Sequence, residues 1–165
     1  MKKIAVAAFF LLCTSCVSTP PIPPELQYTQ PTGDSSNLAS ISATIIDSKV
    51  PLVDNENSYV YAIDGKRVMV KKKDWALPIA VSAGARTITA GFEQGVYMAF
   101  AKVEASLVAG HKYQVRSSCD KHAIGNPYTY CDFWVVDSAT DAAVSDIARG
   151  PVGGRPPPSV LYLPR

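Results

Sequence analysis

The stretch "SYVYAIDGKRVMV", residues 58–70, places the dipeptide Asp64-Gly65 between two runs of apolar residues. In the first run, two tyrosines (Tyr59 and Tyr61) alternate with small apolar residues, which is the two-residue period of a β-strand. An Asp-Gly loop between such runs favours a type I′ turn, because both central residues of that turn need a positive φ. The sequence therefore predicts a tight β-hairpin here.

The same period of two continues on both sides of this hairpin. Further strands are predicted over 39–47, 77–92 (a short strand, a turn at Gly84 and a second strand from Arg86), 96–107, 111–117 and 128–137, and 142–148 fits a weak strand or a helical turn. We therefore expect an all-β fold, a single antiparallel β-sandwich or small barrel of about seven strands. The predicted core contains Ile41, Ile45, Val60, Val68, Ile88, Phe100, Val115 and Trp134.

Two proline-rich segments flank the predicted domain, which spans residues 38–148. Residues 16–37 hold five prolines, a composition that favours an extended, disordered tether. Residues 149–165 contain Gly-Gly and Pro-Pro-Pro and predict an irregular tail, although residues 160–163 are apolar. That apolar end fits either a piece that lies back on its own domain or a handle that docks on a partner's sheet edge or groove.

The N-terminus has the organisation of a secretory signal peptide. Two lysines precede an apolar run from Ile4 to Leu12, which is well short of the roughly 20 residues that span a bilayer. The small residues before Cys16 resemble the lipobox of bacterial lipoproteins, and this resemblance implies that residues 1–15 are removed and that Cys16 is acylated.

Cys16 is preferred to Cys13 as the anchor because Cys13 follows Leu12, although Cys13 stands where the lipobox usually carries Leu. Val17 in place of Asp after the cysteine implies delivery to the outer membrane, with the domain in the periplasm or at the cell surface. Lipoproteins of this kind carry three acyl chains, which hold a protein far more firmly than one chain does. The alternative is an ordinary cleaved signal and free periplasmic release.

Charge limits the class of partner. Removal of residues 1–15 leaves 14 basic residues against 14 acidic ones, and a net charge of zero argues against a nucleic-acid partner. The basic run Lys71-Lys72-Lys73 is typical of a solvated turn or strand edge. Contact with an anionic lipid or polysaccharide is the alternative for this run.

Cys119 and Cys131 remain after processing, and an even pair in an oxidising compartment predicts a disulfide. The bond would close a loop of 13 residues, for which the chain-entropy estimate is ~3 kcal/mol. A metal site with His122 and Asp132 is the alternative, but structural zinc sites have paired ligand spacings that this segment lacks. We therefore expect neither a metal nor a cofactor.

Four segments, "YAIDGKRV", "LPIAVSAGARTITAGF", "SLVAGHKYQV" and "FWVVDSATDAAV", together resemble a layout found in uncharacterised lipoproteins of Gram-negative bacteria. The first half is also similar to PEGA-type surface β-domains. The matching positions are 63–65, 109–113 and 134–144, whereas 83–86 stands where those proteins carry Pro-Gly-x-His. The resemblance covers residues 58–144 and implies an envelope β-domain without assigning an activity.

No catalytic motif appears in the sequence. The two histidines are His111, which follows Gly110, and His122, which stands near Asp120. Neither belongs to a zinc-binding helix motif, and the chain has no phosphate-binding loop and no nucleophile elbow. We therefore expect that the protein is not an enzyme. An enzyme remains a distant third hypothesis, which a pocket holding either histidine against an acid would revive.

An aromatic cluster around Cys131 is the best lead to a binding surface. Tyr128, Tyr130 and Trp134 are predicted to share one strand face, while Cys131 and Phe133 share the other. One interpretation buries both faces. The other leaves the first three as a surface that anchors a protein or a glycan, since Tyr and Trp are enriched in interface hot spots.

Two functions fit these observations. The first is a non-enzymatic, membrane-anchored structural or protein-interaction module with an envelope protein as partner. The second is a periplasmic inhibitor or ligand-binding lipoprotein, for example of cell-wall hydrolases, similar to the small β-barrel inhibitors of lysozyme, with the loop 119–131 entering the enzyme cleft. The sequence does not determine the oligomeric state.

Overall fold

The structure, a computed structural model, describes residues 21–120 and 128–153, and this part of the chain forms ten β-strands and three short 3-10 turns. The strands are β1 (Leu38–Ser42), β2 (Thr44–Ile46), β3 (Glu56–Ile63), β4 (Lys66–Arg67), β5 (Ile79–Ser82), β6 (Gly84–Gln94), β7 (Tyr97–Leu107), β8 (Lys112–Cys119), β9 (Tyr130–Asp137) and β10 (Ala148–Pro151). The predicted all-β class is confirmed.

The predicted hairpin forms at Asp64-Gly65, although its second strand, expected over 66–70, covers only Lys66–Arg67. Asp64 and Gly65 have φ angles of 49° and 76°, so both central residues of the turn are left-handed. The Asp64 carboxylate accepts hydrogen bonds from the backbone N–H of Thr87 at 3.0 Å and from the Arg86 guanidinium at 3.1 Å. The turn is thereby fixed to the first residues of β6.

Two sheets face each other as a sandwich. One sheet has the strand order β10-β9-β8-β1-β5, and the other has the order β2-β3-β6-β7 with β4 also paired to β3. Most neighbours are antiparallel, but β1 and β8 run parallel. The main core fills the space between the sheets, where a hydrogen bond of 2.6 Å between the hydroxyls of Ser58 and Ser117 also joins β3 to β8.

The chain passes directly from one sheet to the other at two corners. One corner is Ala43, between β1 and β2, and the other is Gly84, which begins β6 with a φ of 107°. The first corner explains an error in the predicted core: Ile41 is fully buried, but Ile45 is 41% exposed. Ile45 follows the corner and therefore lies on a short edge strand, outside the main core.

Most of the other predicted core residues are buried, namely Val60, Val68, Ile88, Phe100 and Val115. Trp134 is only partly buried, because its neighbours Phe133 and Val135 point into the main core and Trp134 points the other way. Phe100 belongs to a second apolar cluster on the outer face of the β2–β3–β6–β7 sheet. The sequence predicted a single core, whereas the structure has two apolar clusters.

The second cluster is covered by the segment between β4 and β5. In this segment Trp75 stacks on Tyr59, with the two ring centroids 3.8 Å apart. Tyr59 in turn lies over Gly91, where an added Cβ would stand only 2.6 Å from the tyrosine ring. The two faces of β3 are therefore both buried, although the sequence alternation suggests a strand with one exposed face.

The ends of the domain differ from the predicted boundaries. Within the predicted tether, Tyr28 donates a hydrogen bond from its hydroxyl to the carbonyl of Ala80 at 2.9 Å, and the Gln30 side chain accepts one from the N–H of Ala80 at 2.9 Å. Residues 27–30 therefore pack along the β4–β5 side of the domain. The hydrogen bonds of Tyr28 and Gln30 therefore hold part of a segment whose proline content had predicted a disordered tether.

At the other end of the chain, β10 occupies part of the predicted irregular tail, and residues 142–147 form isolated bridges in place of a strand. Val152 bridges to Ala99 of β7, while β10 pairs with β9, so this segment links the two sheets along one side. Gly150 makes that approach possible, because an added Cβ would stand 2.2 Å from the carbonyl oxygen of Phe100.

Candidate interaction surfaces

The outer face of β9 carries two of the three aromatic residues singled out in the sequence. Tyr130, Asp132 and Trp134 alternate with the buried residues Cys131 and Phe133, and all three are partly exposed. Trp134 stands opposite Arg116 of β8. This aromatic face therefore exists, and its aromatic rings are set among charged groups.

Tyr128 does not belong to that face. It is buried, and its ring makes edge contacts with Phe92 and Tyr97 in the main core. The strand alternation that the prediction extended back to Tyr128 begins only at Tyr130. The predicted grouping of three aromatics is therefore corrected to two.

Ion pairs hold the aromatic face in place. The Arg149 guanidinium makes two hydrogen bonds to the Asp132 carboxylate, of 2.7 and 2.8 Å, and also covers the Tyr130 ring at 3.6 Å. The hydrogen bond from Arg149 lowers the pKa of Asp132 below its ordinary value. Arg116 pairs with Asp141 at 2.6 Å. The face is thus a fixed array with little uncompensated charge.

The structure contains the predicted disulfide. Cys119 and Cys131 stand opposite each other at the ends of β8 and β9, and their sulfur atoms are bonded. The Asp120 carboxylate accepts hydrogen bonds from the N–H groups of Thr129 and Tyr130, at 2.7 and 2.8 Å. The proposed lipid site, Cys16, and the second histidine, His122, lie outside the described residues.

A second surface was not predicted, and we call it the distal patch. Seven large apolar side chains are exposed on β2, on the loop after it and around the β6–β7 turn: Ile45, Ile46, Val50, Leu52, Val53, Val96 and Met98. Leu52 is fully exposed and Val96 is 86% exposed. Leu52, Val53 and Val96 line one cavity of about 470 Å³. Exposed apolar side chains gathered in this way mark interaction sites.

The loop that presents Leu52 is held by its own hydrogen bonds. The N–H of Ser48 donates to the Asn55 side chain at 3.0 Å, and the same side chain donates to the Asp47 carboxylate at 2.8 Å. Gln94 of β6 donates to the carbonyl of Asp54 at 3.0 Å, which ties the loop to the β6–β7 turn. The loop is therefore fixed in shape before any partner binds.

Leu52 has a φ of 67°. This left-handed conformation is unfavourable for a leucine, and strained residues of this kind cluster at functional sites. Because its side chain is fully exposed, the packing of the domain does not account for a leucine here. The sequence carried one signal that could have identified it, an apolar "VPLV" at residues 50–53 between two predicted strands.

The distal patch and the first described residues lie at opposite ends of β3. The patch adjoins the start of β3, whereas the 3-10 turn Pro24–Leu26 and Gln27 adjoin β4, just beyond the end of β3. The N–H of Tyr28 donates to the carbonyl of Arg67 at 2.7 Å. Eight residues of β-strand span about 26 Å, so the patch is well separated from the point where the chain enters the domain.

The structure also pairs a histidine with an acid. Nδ1 of His111 lies 2.6 Å from Oδ2 of Asp137, and the other oxygen of this carboxylate accepts a hydrogen bond of 2.8 Å from the N–H of Ala139. The hydrogen bond from His111 is the largest cause that lowers the pKa of Asp137. A shallow cavity of about 360 Å³ adjoins the pair.

An oriented histidine becomes a catalytic base only when a reacting group lies within hydrogen-bond reach. Among the residues that the structure describes, no serine or cysteine side chain is hydrogen-bonded to His111. The pair connects the turn after β7 with the last residue of β9, and about half of the His111 side chain is exposed. A histidine held against an acid beside a cavity is the arrangement that would revive an enzyme as a hypothesis.

Within residues 21–120 and 128–153, no helix is long and apolar enough to cross a membrane. Comparison of the chain with protein-family models, with curated proteins and with solved structures found no match.

Proposed function

We propose that the protein is a non-enzymatic lipoprotein of the bacterial cell envelope that acts as a structural or protein-interaction module. Cys16 carries the lipid and holds the domain at the outer membrane. The resemblance of the N-terminal sequence to a lipobox and the disulfide between Cys119 and Cys131, which needs an oxidising compartment, support this location.

The observation that carries the interaction role is the distal patch. An apolar patch on a rigid loop costs solubility and adds nothing to the core, so its presence is explained best by a partner that covers it. Because the patch lies at the far end of β3 from the first described residues, a lipid at Cys16 leaves it free to meet another protein.

The anchor is tested by fractionation and mass spectrometry. We expect the N-terminal peptide from membranes to begin at an acylated Cys16, and globomycin to leave the precursor uncleaved. Cys16→Ser is expected to move the protein out of the membrane fraction. A mature chain that carries no fatty acid and stays in the soluble fraction would remove the anchor from the proposal.

The surface is tested by a photoactivatable amino acid placed at Leu52 or Val96 in living cells. We expect both positions to crosslink to the same envelope protein. The matched controls are Lys66 and Val108, which are also exposed but lie at the other end of the domain. Equal yields from all four positions, or none from the patch, would contradict the assignment of the distal patch.

A second function, inhibition of an envelope hydrolase, is favoured by the loop 47–55. Its rigid shape and its fully exposed Leu52 fit insertion into an enzyme cleft. The predicted loop 119–131 stays a prediction, because its residues 121–127 lie outside the described part. Slower digestion of peptidoglycan in the presence of the purified protein, relieved by Leu52→Ser, would favour this function over a structural role.

A further inference from the structure

The segment between β4 and β5 was singled out in the sequence by its three consecutive lysines, and the proposed interaction role does not use it. We call β4 together with this segment, residues 66–78, the basic strap. The Arg67 guanidinium lies 3.4 Å from the Tyr61 ring centre, and Trp75 stacks on Tyr59. Two aromatic contacts thus hold the strap against the outer face of the sheet, and Val68 and Val70 pack in or against the main core.

The exposed side chains of the strap are basic and apolar. Lys66, Lys71 and Lys73 are exposed and form no ion pair with any residue that the structure describes, whereas Lys72 pairs with Glu93. Met69 is 57% exposed and Leu77 is 59% exposed. The strap holds five basic residues against one acid, Asp74. Basic and apolar groups on one surface are typical of contact with an anionic membrane.

The N-terminal segment runs along this strap. Gln27 forms a parallel bridge with Arg67, and Gln30 lines one cavity of about 400 Å³ together with Met69 and Lys71. Only residues 17–20 separate Cys16 from the first described residue, Pro21. A chain of that length reaches at most about 17 Å. The predicted tether, in contrast, would allow several tens of Å.

We propose that the basic strap is a membrane-contact surface that lies on anionic phospholipid headgroups beside the anchor. Lys66, Lys71 and Lys73 face the lipid phosphates, and Met69 and Leu77 enter the headgroup region. The inference rests on the proposed lipid anchor for the closeness of the membrane. It adds an orientation: the strap side of the domain is held against the bilayer, and the domain does not swing on a long tether.

The test uses the full-length chain expressed in bacteria, with a photoactivatable benzoylphenylalanine at Met69 or at Leu77. After irradiation of isolated membranes, mass spectrometry detects phospholipid adducts on the labelled peptide and the acyl group on Cys16 in the same sample. We expect lipid adducts at both positions. Positions 52 and 96, which are apolar and even more exposed, serve as controls and should give at least tenfold less.

Charge is tested by the triple variant Lys66→Glu, Lys71→Glu, Lys73→Glu, which should lower the adduct yield at least fivefold. The matched control changes three exposed lysines elsewhere, Lys49→Glu, Lys102→Glu and Lys112→Glu, and should leave the yield unchanged. Circular dichroism verifies that both variants are folded. High salt should also lower the yield, because it screens charges near the membrane.

The possible failures are distinguishable. If Cys16 is acylated but positions 69 and 77 give no lipid adducts, or give adducts with protein or polysaccharide, the strap proposal is overturned and the anchor stands. If Cys16 carries no acyl group, the anchor proposal fails. Charge-dependent lipid adducts would then still support the strap, and their absence would overturn both. Equal effects of the two triple variants would also overturn the strap proposal.

Discussion

Gly150 shows how a single residue decides whether the two sheets can meet. The residue is buried in β10 opposite Cys131, and its Cα faces the backbone of Phe100 in β7. Because the contact is with a carbonyl oxygen, no side-chain rotation relieves it. From the sequence, this position was predicted to lie in an irregular Gly- and Pro-rich tail. The contact could not be predicted, because Phe100 is 50 residues away in the chain.

Gly150→Ala should therefore lower the free energy of unfolding by about 1–3 kcal/mol, the usual range for overpacking in a tight interior. Urea unfolding followed by tryptophan fluorescence measures the change. Ile147→Ala, at a neighbouring exposed position, is the control and should change stability by no more than about 0.5 kcal/mol. Equal urea midpoints for Gly150→Ala and the unchanged protein would contradict the assigned contact.

The His111–Asp137 pair gives a prediction for pH. Its hydrogen bond lowers the pKa of Asp137 in the folded state, so the folded protein binds this proton less readily than the unfolded chain does. The stabilisation is therefore present above the unfolded value near 3.8 and is lost as the pH falls through the lower, folded value. We expect Asp137→Asn to be clearly less stable than the unchanged protein at pH 7, with a difference that shrinks below about pH 4.

His111→Ala removes the partner and leaves the carboxylate. This variant should lose much of the same pH dependence, because the hydrogen bond from His111 is the main cause of the shift. Urea unfolding at several pH values between 3 and 7 measures both variants. A stability difference that stays constant over that range would show that the pair does not couple folding to protonation.

Single side chains show where prediction from the sequence reaches its limit. Alternation along β9 correctly separated Phe133 from Trp134, but it could not say that Tyr128 precedes the strand and enters the core. Alternation also predicted Ile45 inside, because it cannot detect that the chain changes sheets at Ala43. A local pattern determines which side chains share a face, and the distant strands determine which face is buried.

At the scale of elements, the Asp64-Gly65 hairpin is the most local feature, and its turn was predicted correctly, although its second strand is shorter than predicted. Its turn depends on a left-handed Gly65, with a φ of 76°. Gly65→Ala should cost about 1–2 kcal/mol, because a Cβ is disfavoured in this conformation. Gly65→Asn should cost less, since asparagine tolerates it. Thermal and urea unfolding would rank the stabilities of the three proteins. A Gly65→Ala variant more stable than the Gly65→Asn variant would contradict the assigned turn.

Other elements could not be predicted because their partners are distant. The parallel pairing of β1 with β8 joins residues about 70 positions apart, and nothing in either strand specifies it. The strap over Tyr59 and Tyr61 is similar: "KKKDW" reads as a polar turn, yet Trp75 completes an apolar cluster there. The disulfide was predictable because Cys119 and Cys131 are the two cysteines that remain after the proposed processing, so that composition alone determines the pair.

At the scale of the whole molecule, the two proposed surfaces have different partners: the strap contacts the membrane, and the distal patch binds a protein. The strap and the N-terminal segment form one side, where the membrane is proposed to lie. The distal patch adjoins the start of β3, and Glu93, which the strap's Lys72 contacts, pairs in register with Met98 of the patch. From the sequence, Tyr128, Tyr130 and Trp134 were the candidate surface, because Tyr and Trp are enriched in interface hot spots. The exposure of aliphatic residues in a loop is revealed only by the folded chain.

This division predicts that binding and stability are separable at the distal patch. The double variant Leu52→Ser, Val96→Ser removes two exposed side chains, so its free energy of unfolding should stay within about 0.5 kcal/mol of the unchanged protein. Crosslinking of the envelope partner from a photoactivatable residue at Val53 should nevertheless fall at least tenfold. The matched control Ile147→Ser, Val108→Ser removes two exposed apolar side chains away from the patch and should keep the crosslink. A large loss of stability in the patch variant would show that these residues serve the fold, and an unchanged crosslink would show that the partner binds elsewhere, with the Tyr130–Trp134 face as the next surface to test.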